Sequence, residues 1–207
     1  MSLQKGNTEV AEFILNNGAD LTVLTRDGNT PLFLAITKGY SQLAEIMIQL
    51  GGDVNAKTRD GNNPLLEASG RGYLSVVKRL IERGARLDAS QKDGTNAAYV
   101  AAQNGHLDVL KILIQHDTNL VDLKGYKGRT PVFAAATIDT VKYLVSLSNF
   151  SITVQDDDGL TPFIAANKNG HPDVAEYLFS VQWNITLPKG KFVRITLITI
   201  FHGKHSS

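Results

Sequence analysis

Residues 60–73 read DGNNPLLEASGRGY, and their meaning comes from four near-copies elsewhere in the chain. DGNTPLFLAITKGY begins at Asp27, DGTNAAYVAAQNGH at Asp93, KGRTPVFAAA at Lys127 and DGLTPFIAANKNGH at Asp158. The starts are 33, 33, 34 and 31 residues apart. A second block follows each in phase: QLAEIMIQLGGDVNA, SVVKRLIERGARLDA, LDVLKILIQHDTNLVD, DTVKYLVSLSNFSIT and PDVAEYLFSVQWNIT. TEVAEFILNNGADLT, near the N-terminus, is that second block without its first half. A fixed period of this length is the mark of a repeat architecture.

Each part of the unit has a physical reason. Asp27-Gly28 and its equivalents make a tight turn in which glycine takes positive φ without steric cost. Thr30-Pro31, Asn63-Pro64, Thr130-Pro131 and Thr161-Pro162 each set a helix-capping residue before a proline suited to the first helical position. Short alanine-rich helices follow, closed by Gly39, Gly72, Gly105 and Gly170. Second helices carry apolar residues at helical spacing, as in Val76, Val77, Leu80 and Ile81, or Leu110, Leu113 and Ile114. No single unit can bury so narrow an apolar face, whereas a stack of them makes one continuous core.

This pattern, T-P-L-x-x-A-A-x-x-G-H followed by V-V-x-x-L-L-x-x-G-A-D, resembles the ankyrin repeat from about Gly6 to Thr186. The resemblance implies an all-α solenoid of stacked helix-turn-helix units with β-hairpin loops, and a role in binding other proteins. We expect units near 6–24, 25–57, 58–90, 91–124, 125–155 and 156–186, and a strand-like or disordered tail at 187–207. Departures from the family are specific. Phe33, Leu66, Tyr99, Phe133 and Ile164 stand where the family has a histidine that ties neighbouring repeats, so the tie there must be apolar packing or weaker. The third unit has an extra residue between Leu120 and Gly128. The fourth lacks about three residues where its Gly-His turn should lie, near Thr137 to Asp139, and should kink the stack.

The tail, LPKGKFVRITLITIFHGKHSS, is rich in β-branched and aromatic residues and reads as strand. Gln182 to Phe201 resembles the opening of a complement-type CUB domain through Trp183, Ile185, Pro188, Gly190, Val193 and Leu197. A CUB sandwich needs many more strands, and the cysteine it places before the tryptophan is missing. The favoured expectation is a cap or an added strand on the last repeat. With the half repeat at the start, the tail suggests a piece of a longer protein or a gene-model product.

Composition narrows the function classes. The 207 residues include 43% hydrophobic and 20% charged residues, a net charge of +1 and no cysteine. Cysteine–zinc sites, disulfides and a cysteine nucleophile are excluded. So even a charge balance offers no general attraction to nucleic acid or anionic membranes. Phe192–Phe201, the longest apolar stretch, is too short to span a bilayer and contains Arg194. No phosphate-binding loop or serine elbow occurs. His106 and His171 are expected to make local structural bonds at the helix turn. His202 and His205 have a weak metal spacing without a nearby carboxylate. Asp156-Asp157-Asp158 reads as a solvated acidic tip, because the glutamate an EF-hand needs further on is absent. We therefore expect no cofactor, no metal, no nucleic acid, no membrane insertion and no catalysis in a monomer. The family resemblance places it in the cytoplasm or nucleus.

In the family, hairpin tips and the exposed side of the first helices line a concave binding face. The corresponding candidates here are Arg26, Asn29, Thr37, Lys38 and Lys57, then Arg59, Asn62 and Arg71. The third unit offers Lys92, Thr95, Gln103 and Asn104, the fourth Tyr126, Lys127 and Arg129. The fifth offers Asp157, Leu160, Lys168 and Asn169. Arg26, Arg59, Lys92 and Lys127 recur at one tip position, a basic row suited to an acidic partner segment. Asp27, Asp60 and Asp93 lie beside them and reduce its field, so solvated tips are the alternative. Three roles stay open: an interaction scaffold or adaptor; a substrate-recruiting segment of a larger enzyme, receptor or channel; or a structural spacer. Asn55, in GGDVNA, matches the asparagine that the family is known to present for hydroxylation.

Overall fold

The computed structural model describes residues 16–148 and 152–183. Most of the expected N-terminal half repeat and the whole 187–207 tail lie outside the described residues, as do the CUB-like positions beyond Trp183. Ten α-helices form five pairs among the described residues. They are α1 (Pro31–Thr37) with α2 (Ser41–Gln49), α3 (Pro64–Arg71) with α4 (Leu74–Glu82), and α5 (Ala97–Gln103) with α6 (Leu107–His116). The last pairs are α7 (Pro131–Ala134) with α8 (Ile138–Leu147), and α9 (Pro162–Lys168) with α10 (Pro172–Trp183). First helices pack on first helices through the series α1, α3, α5, α7 and α9, and second helices form a layer behind them. The result is an all-α repeat solenoid.

Small and branched side chains fill one core that runs the length of the stack. Ala68, Ala97, Ala98, Ala101 and Ala102 are fully buried where first helices meet, and Val76, Val77, Leu80, Val109, Leu110 and Leu113 where second helices do. Alanine permits the close approach of adjacent first helices, and the larger residues fill the wider space behind. On the outer layer Lys111 lies over the Tyr143 ring at 5.5 Å and Lys142 over Tyr177 at 5.8 Å, each contact crossing from one unit to the next. Such cation–π contacts at partly exposed sites contribute about 0.5–1 kcal/mol.

The caps divide into two groups. Thr30, Asn63 and Asn96 accept a hydrogen bond from the backbone N–H three residues on, at 3.2, 2.9 and 2.9 Å. Thr130 and Thr161 occupy the same position without a side-chain capping bond. Gly72 ends α3 in the left-handed region at φ 72° and lies so close to the next unit that a Cβ would stand 2.6 Å from the His106 ring.

Two expectations change. The hairpins are not strands among the described residues: one isolated antiparallel bridge, Ser90 to Asn96, is present. Each tip is instead a compact turn in which residue i donates to the carbonyl of i+4, from Thr25 to Asn29, Thr58 to Asn62, Gln91 to Thr95, Gly125 to Arg129 and Asp156 to Leu160. The residue between Leu120 and Gly128 is accommodated in two 3-10 turns, Thr118–Val121 and Tyr126–Gly128, with Lys127 at φ 54°.

Candidate docking face

The fourth unit's shortfall falls within its first helix. Whereas α1, α3, α5 and α9 have seven or eight residues, α7 has four. Its chain leaves the helix at Ala135 (φ −57°, ψ 114°), and the Ala136 N–H donates to the Ala102 carbonyl of the preceding unit at 3.2 Å. Elsewhere a Gly-containing turn occupies this place and presents Lys38, Arg71, Asn104 or Asn169. Without it, Gln103 of the third unit and Asn169 and His171 of the fifth border one groove of about 710 Å³. Thr95, Tyr99, Tyr126 and Arg129 also line it. A smaller groove of about 220 Å³, bordered by Asn62, Glu67, Arg71 and Asn104, adjoins it. Gln91 and Val100 line both, so the two run together across the first-helix face of the second to fifth units.

Eight sequence candidates therefore meet along one depression: Asn62, Arg71, Thr95, Gln103, Asn104, Tyr126, Arg129 and Asn169. Arg26, Asn29, Thr37, Lys38, Lys57, Arg59, Lys92, Lys127, Asp157, Leu160 and Lys168 lie outside these two grooves. Thr95, expected at an exposed tip, is buried, its N–H donating to Asp93 Oδ1 at 2.9 Å. The sequence reading missed Gln91, Asp93, Tyr99, Val100, Ala134 and His171, whose signal was only their adjacency to the candidates.

The basic row is uneven. Arg26, Arg59 and Lys92 are exposed and form no ion pair among the described residues, although Arg59 Nη2 donates to the Arg26 carbonyl at 2.7 Å. Lys127 Nζ instead pairs with Asp158 Oδ2 at 2.8 Å. Arg129 Nε pairs with Asp156 Oδ2 at 2.8 Å, and Arg71 Nε with Glu67 Oε1 at 2.6 Å. Asp156 is not part of a solvated tip. Its carboxylate is fully inaccessible and accepts from the N–H groups of Asp158 and Leu160 at 3.0 and 2.8 Å. Burial alone would raise its pKa, but the Leu160 N–H, Arg129 and the Asp158 N–H outweigh burial and hold it below the usual carboxylate range. Burial pushes the Tyr99 hydroxyl up despite the neighbouring Arg129 guanidinium.

His106 reaches beyond its own turn: Nε2 lies 3.1 Å from the Gly70 carbonyl, which also accepts from Asn104 Nδ2 at 2.9 Å. Asn55 bridges in the same way, its Nδ2 donating to the Gly84 carbonyl at 3.0 Å and its Oδ1 accepting from the Arg86 N–H at 2.9 Å. These ties join consecutive units through neutral hydrogen bonds.

A family model of ankyrin repeats, in three overlapping copies, matches residues 1–91, 68–156 and 98–188. The chain belongs to the ankyrin-repeat family. Ankyrin repeats bind other proteins, and the family is typically non-catalytic. Among curated proteins the comparison found no match. No helix among the described residues is long and apolar enough to cross a membrane, and no group of three or more His, Asp or Glu side chains gathers there as a metal site would require. In this ankyrin array the depression across the first helices is the feature that sets that face apart from the helical back.

Proposed function

We propose that this chain is an interaction scaffold or adaptor that holds an extended segment of a partner protein along its tips and first helices. The observation that carries this reading is the joined depression from Asn62 to His171, which crosses four units and gathers eight of the residues expected from sequence. Solenoids use extended surfaces of this kind because successive units offer equivalent contacts at regular intervals.

The exposed cations Arg26, Arg59 and Lys92, with Lys57 on the intervening link, favour carboxylates in the part of the partner that lies over the first three units. Complementary charge at such a rim speeds encounter and fixes orientation more than it raises affinity. Quantitative affinity purification with the intact chain and with an Arg59→Glu/Lys92→Glu variant tests this. Partners rich in acidic segments should be lost from the variant, and their retention on the intact chain should fall with salt. Equal recovery on both proteins at every salt concentration refutes the acidic-segment reading.

A further inference from the structure

The missing turn of the fourth unit opens a notch whose charge is opposite to that of the basic tips. We propose that this notch receives a basic side chain, lysine or arginine, of the partner segment. The proposal rests on the reading of the face as a docking surface. It adds a chemical class for the end of the partner that lies over the third to fifth units.

Four formally charged side chains border the joined grooves: Glu67, Arg71, Asp93 and Arg129. Three are answered within the chain. Arg71 pairs with Glu67, and Arg129 with Asp156, whose carboxylate is fully inaccessible. Asp93 is exposed and forms no ion pair among the described residues. Its Oδ1 accepts from the Thr95 N–H at 2.9 Å, a neutral donor that does not cancel the charge. Lys92, the preceding residue, does not border the groove. Burial raises the pKa of the Tyr99 hydroxyl and Asp93 adds to it, so the field of this carboxylate reaches into the groove.

Charge then selects the occupant. A carboxylate entering the notch is repelled by Asp93 and finds Arg129 already committed. An uncharged side chain gains nothing from the Asp93 charge, whereas an ammonium or guanidinium is drawn to it. Lys127 and Arg129 lie over the Tyr126 ring at 5.9 and 6.0 Å, but each has its own aspartate and adds no net positive charge. The shape suits a long basic side chain. Val100 and Ala134 offer apolar wall for its hydrocarbon stem while the head reaches Asp93. The amides of Gln103 and Asn169, both exposed at the groove, supply oxygens that accept from its N–H groups. The space, about 710 Å³, is within the usual size of ligand sites, about 300–1,000 Å³. With Arg26, Arg59 and Lys92 at the other end, the face reads a segment that is acidic first and basic last, which fixes its direction along the stack.

The test uses the full chain as bait for a phage-displayed library of random linear peptides. Selected peptides are measured by fluorescence polarisation against the intact chain, Asp93→Asn, Gln103→Trp and Arg59→Glu/Lys92→Glu. Asp93→Asn removes the charge and keeps an oxygen for the Thr95 N–H. Gln103→Trp fills the notch from an exposed position. Selected peptides should share a lysine or arginine. Its change to Gln should weaken binding to the intact chain about fivefold or more, and binding to Asp93→Asn hardly at all. Gln103→Trp should weaken the same peptides. If circular dichroism shows that a variant does not fold, the peptide decides on the intact chain: Gln in place of the basic residue must weaken binding, and Glu must weaken it further. Peptides that bind Asp93→Asn or Gln103→Trp as tightly as the intact chain overturn the notch, and so do peptides that lose nothing when every basic residue is changed. The docking face stands in either case if any one variant still weakens them. Selection of no peptide, or only of peptides indifferent to all three variants, overturns both the notch and the docking face.

Discussion

The junction of the second and third units and that of the fourth and fifth are built from the same repeat but held by different physics. Between the second and third, the helix turn is complete. Asn104 and His106 reach back to one carbonyl, Gly70, and the tips join backbone to backbone, from the Lys92 N–H to the Asp60 carbonyl at 3.2 Å. Between the fourth and fifth, the fourth unit has no such turn. Its tie is at the tips, where Lys127 and Arg129 pair with Asp158 and Asp156 and the Asp157 N–H donates to the Lys127 carbonyl at 3.0 Å. Loss of the turn removes the neutral bonds and leaves the groove open, and charge at the tip holds the units in register. The basic row ends there for the same reason: cations used to hold the stack are not available to a partner.

The sharpest way to break the comparison is Asp156→Ala. It leaves the largely buried Arg129 without its partner and the N–H groups of Asp158 and Leu160 without an acceptor. A cost of about 3–5 kcal/mol is expected, as for loss of one member of a buried pair. Urea unfolding, with hydrogen exchange locating the loss in the last two units, measures it. Because the folded carboxyl titrates below its ordinary value, its contribution is complete above about pH 4 and disappears as pH falls through the lower folded value. Asp156→Asn should remove that acid-dependent part of the stability curve. An unchanged acid limb in this variant would show that other carboxylates, not Asp156, govern acid unfolding.

At the second–third junction the expected loss is smaller and insensitive to salt. Asn104→Ala and His106→Ala should each cost about 1 kcal/mol, since each removes one net hydrogen bond to Gly70. The double variant should cost less than the sum, because both donors serve one carbonyl. Strict additivity in a thermal or urea double-mutant cycle would mean that the shared acceptor is not what joins these units.

Much of this contrast was legible in part. The period, the five helix pairs, the caps at Thr30 and Asn63 and the deletion in the fourth unit all follow from local residue patterns, because each depends on neighbours within a few positions. Asp156 was misread as solvated for the opposite reason: its burial comes from Arg129, 27 residues earlier, folding over it. The clue was positional, since Thr25 and Thr58 stand in the same slot and their hydroxyls also accept from the N–H four residues on, both at 3.1 Å. His106 was likewise assigned a local bond, yet its acceptor is 36 residues away. For the candidate face, register placed fewer than half of the expected residues in the depression, and the tip cations Arg26, Arg59, Lys92 and Lys127 lie outside it. Its depth was not readable, because it depends on where the shortened link comes to rest.

Caps offer a gentler probe of the two regions. Asn63 and Asn96 cap well through their oxygens, but both side-chain nitrogens are buried and unbonded among the described residues. Thr30 caps at the equivalent position with a hydroxyl, which carries one donor in place of the amide's two and can rotate it toward a partner. Asn63→Thr and Asn96→Thr should each stabilise the chain slightly, by less than about 1 kcal/mol, because two unmet amide N–H donors give way to one rotatable O–H while the cap weakens a little. Differential scanning calorimetry would read a higher midpoint. A lower one would mean that the amide nitrogens find partners in solution.

The smallest effect should come from the exposed member of the fourth–fifth tie. Lys127 is paired with Asp158, but both side chains are substantially in solvent, and pairs of that kind add little net stability. Its backbone is left-handed, at φ 54°, a conformation glycine adopts without the crowding a Cβ brings. Lys127→Gly therefore removes an ion pair and relieves strain, and the thermal midpoint should stay level or rise slightly. Added salt should move the intact protein no more than it moves the variant, because the buried Arg129–Asp156 pair is screened far less than surface charge. A clear fall in the midpoint of Lys127→Gly, restored in intact protein only at low salt, would shift the weight of the tie from the buried aspartate to the surface pair.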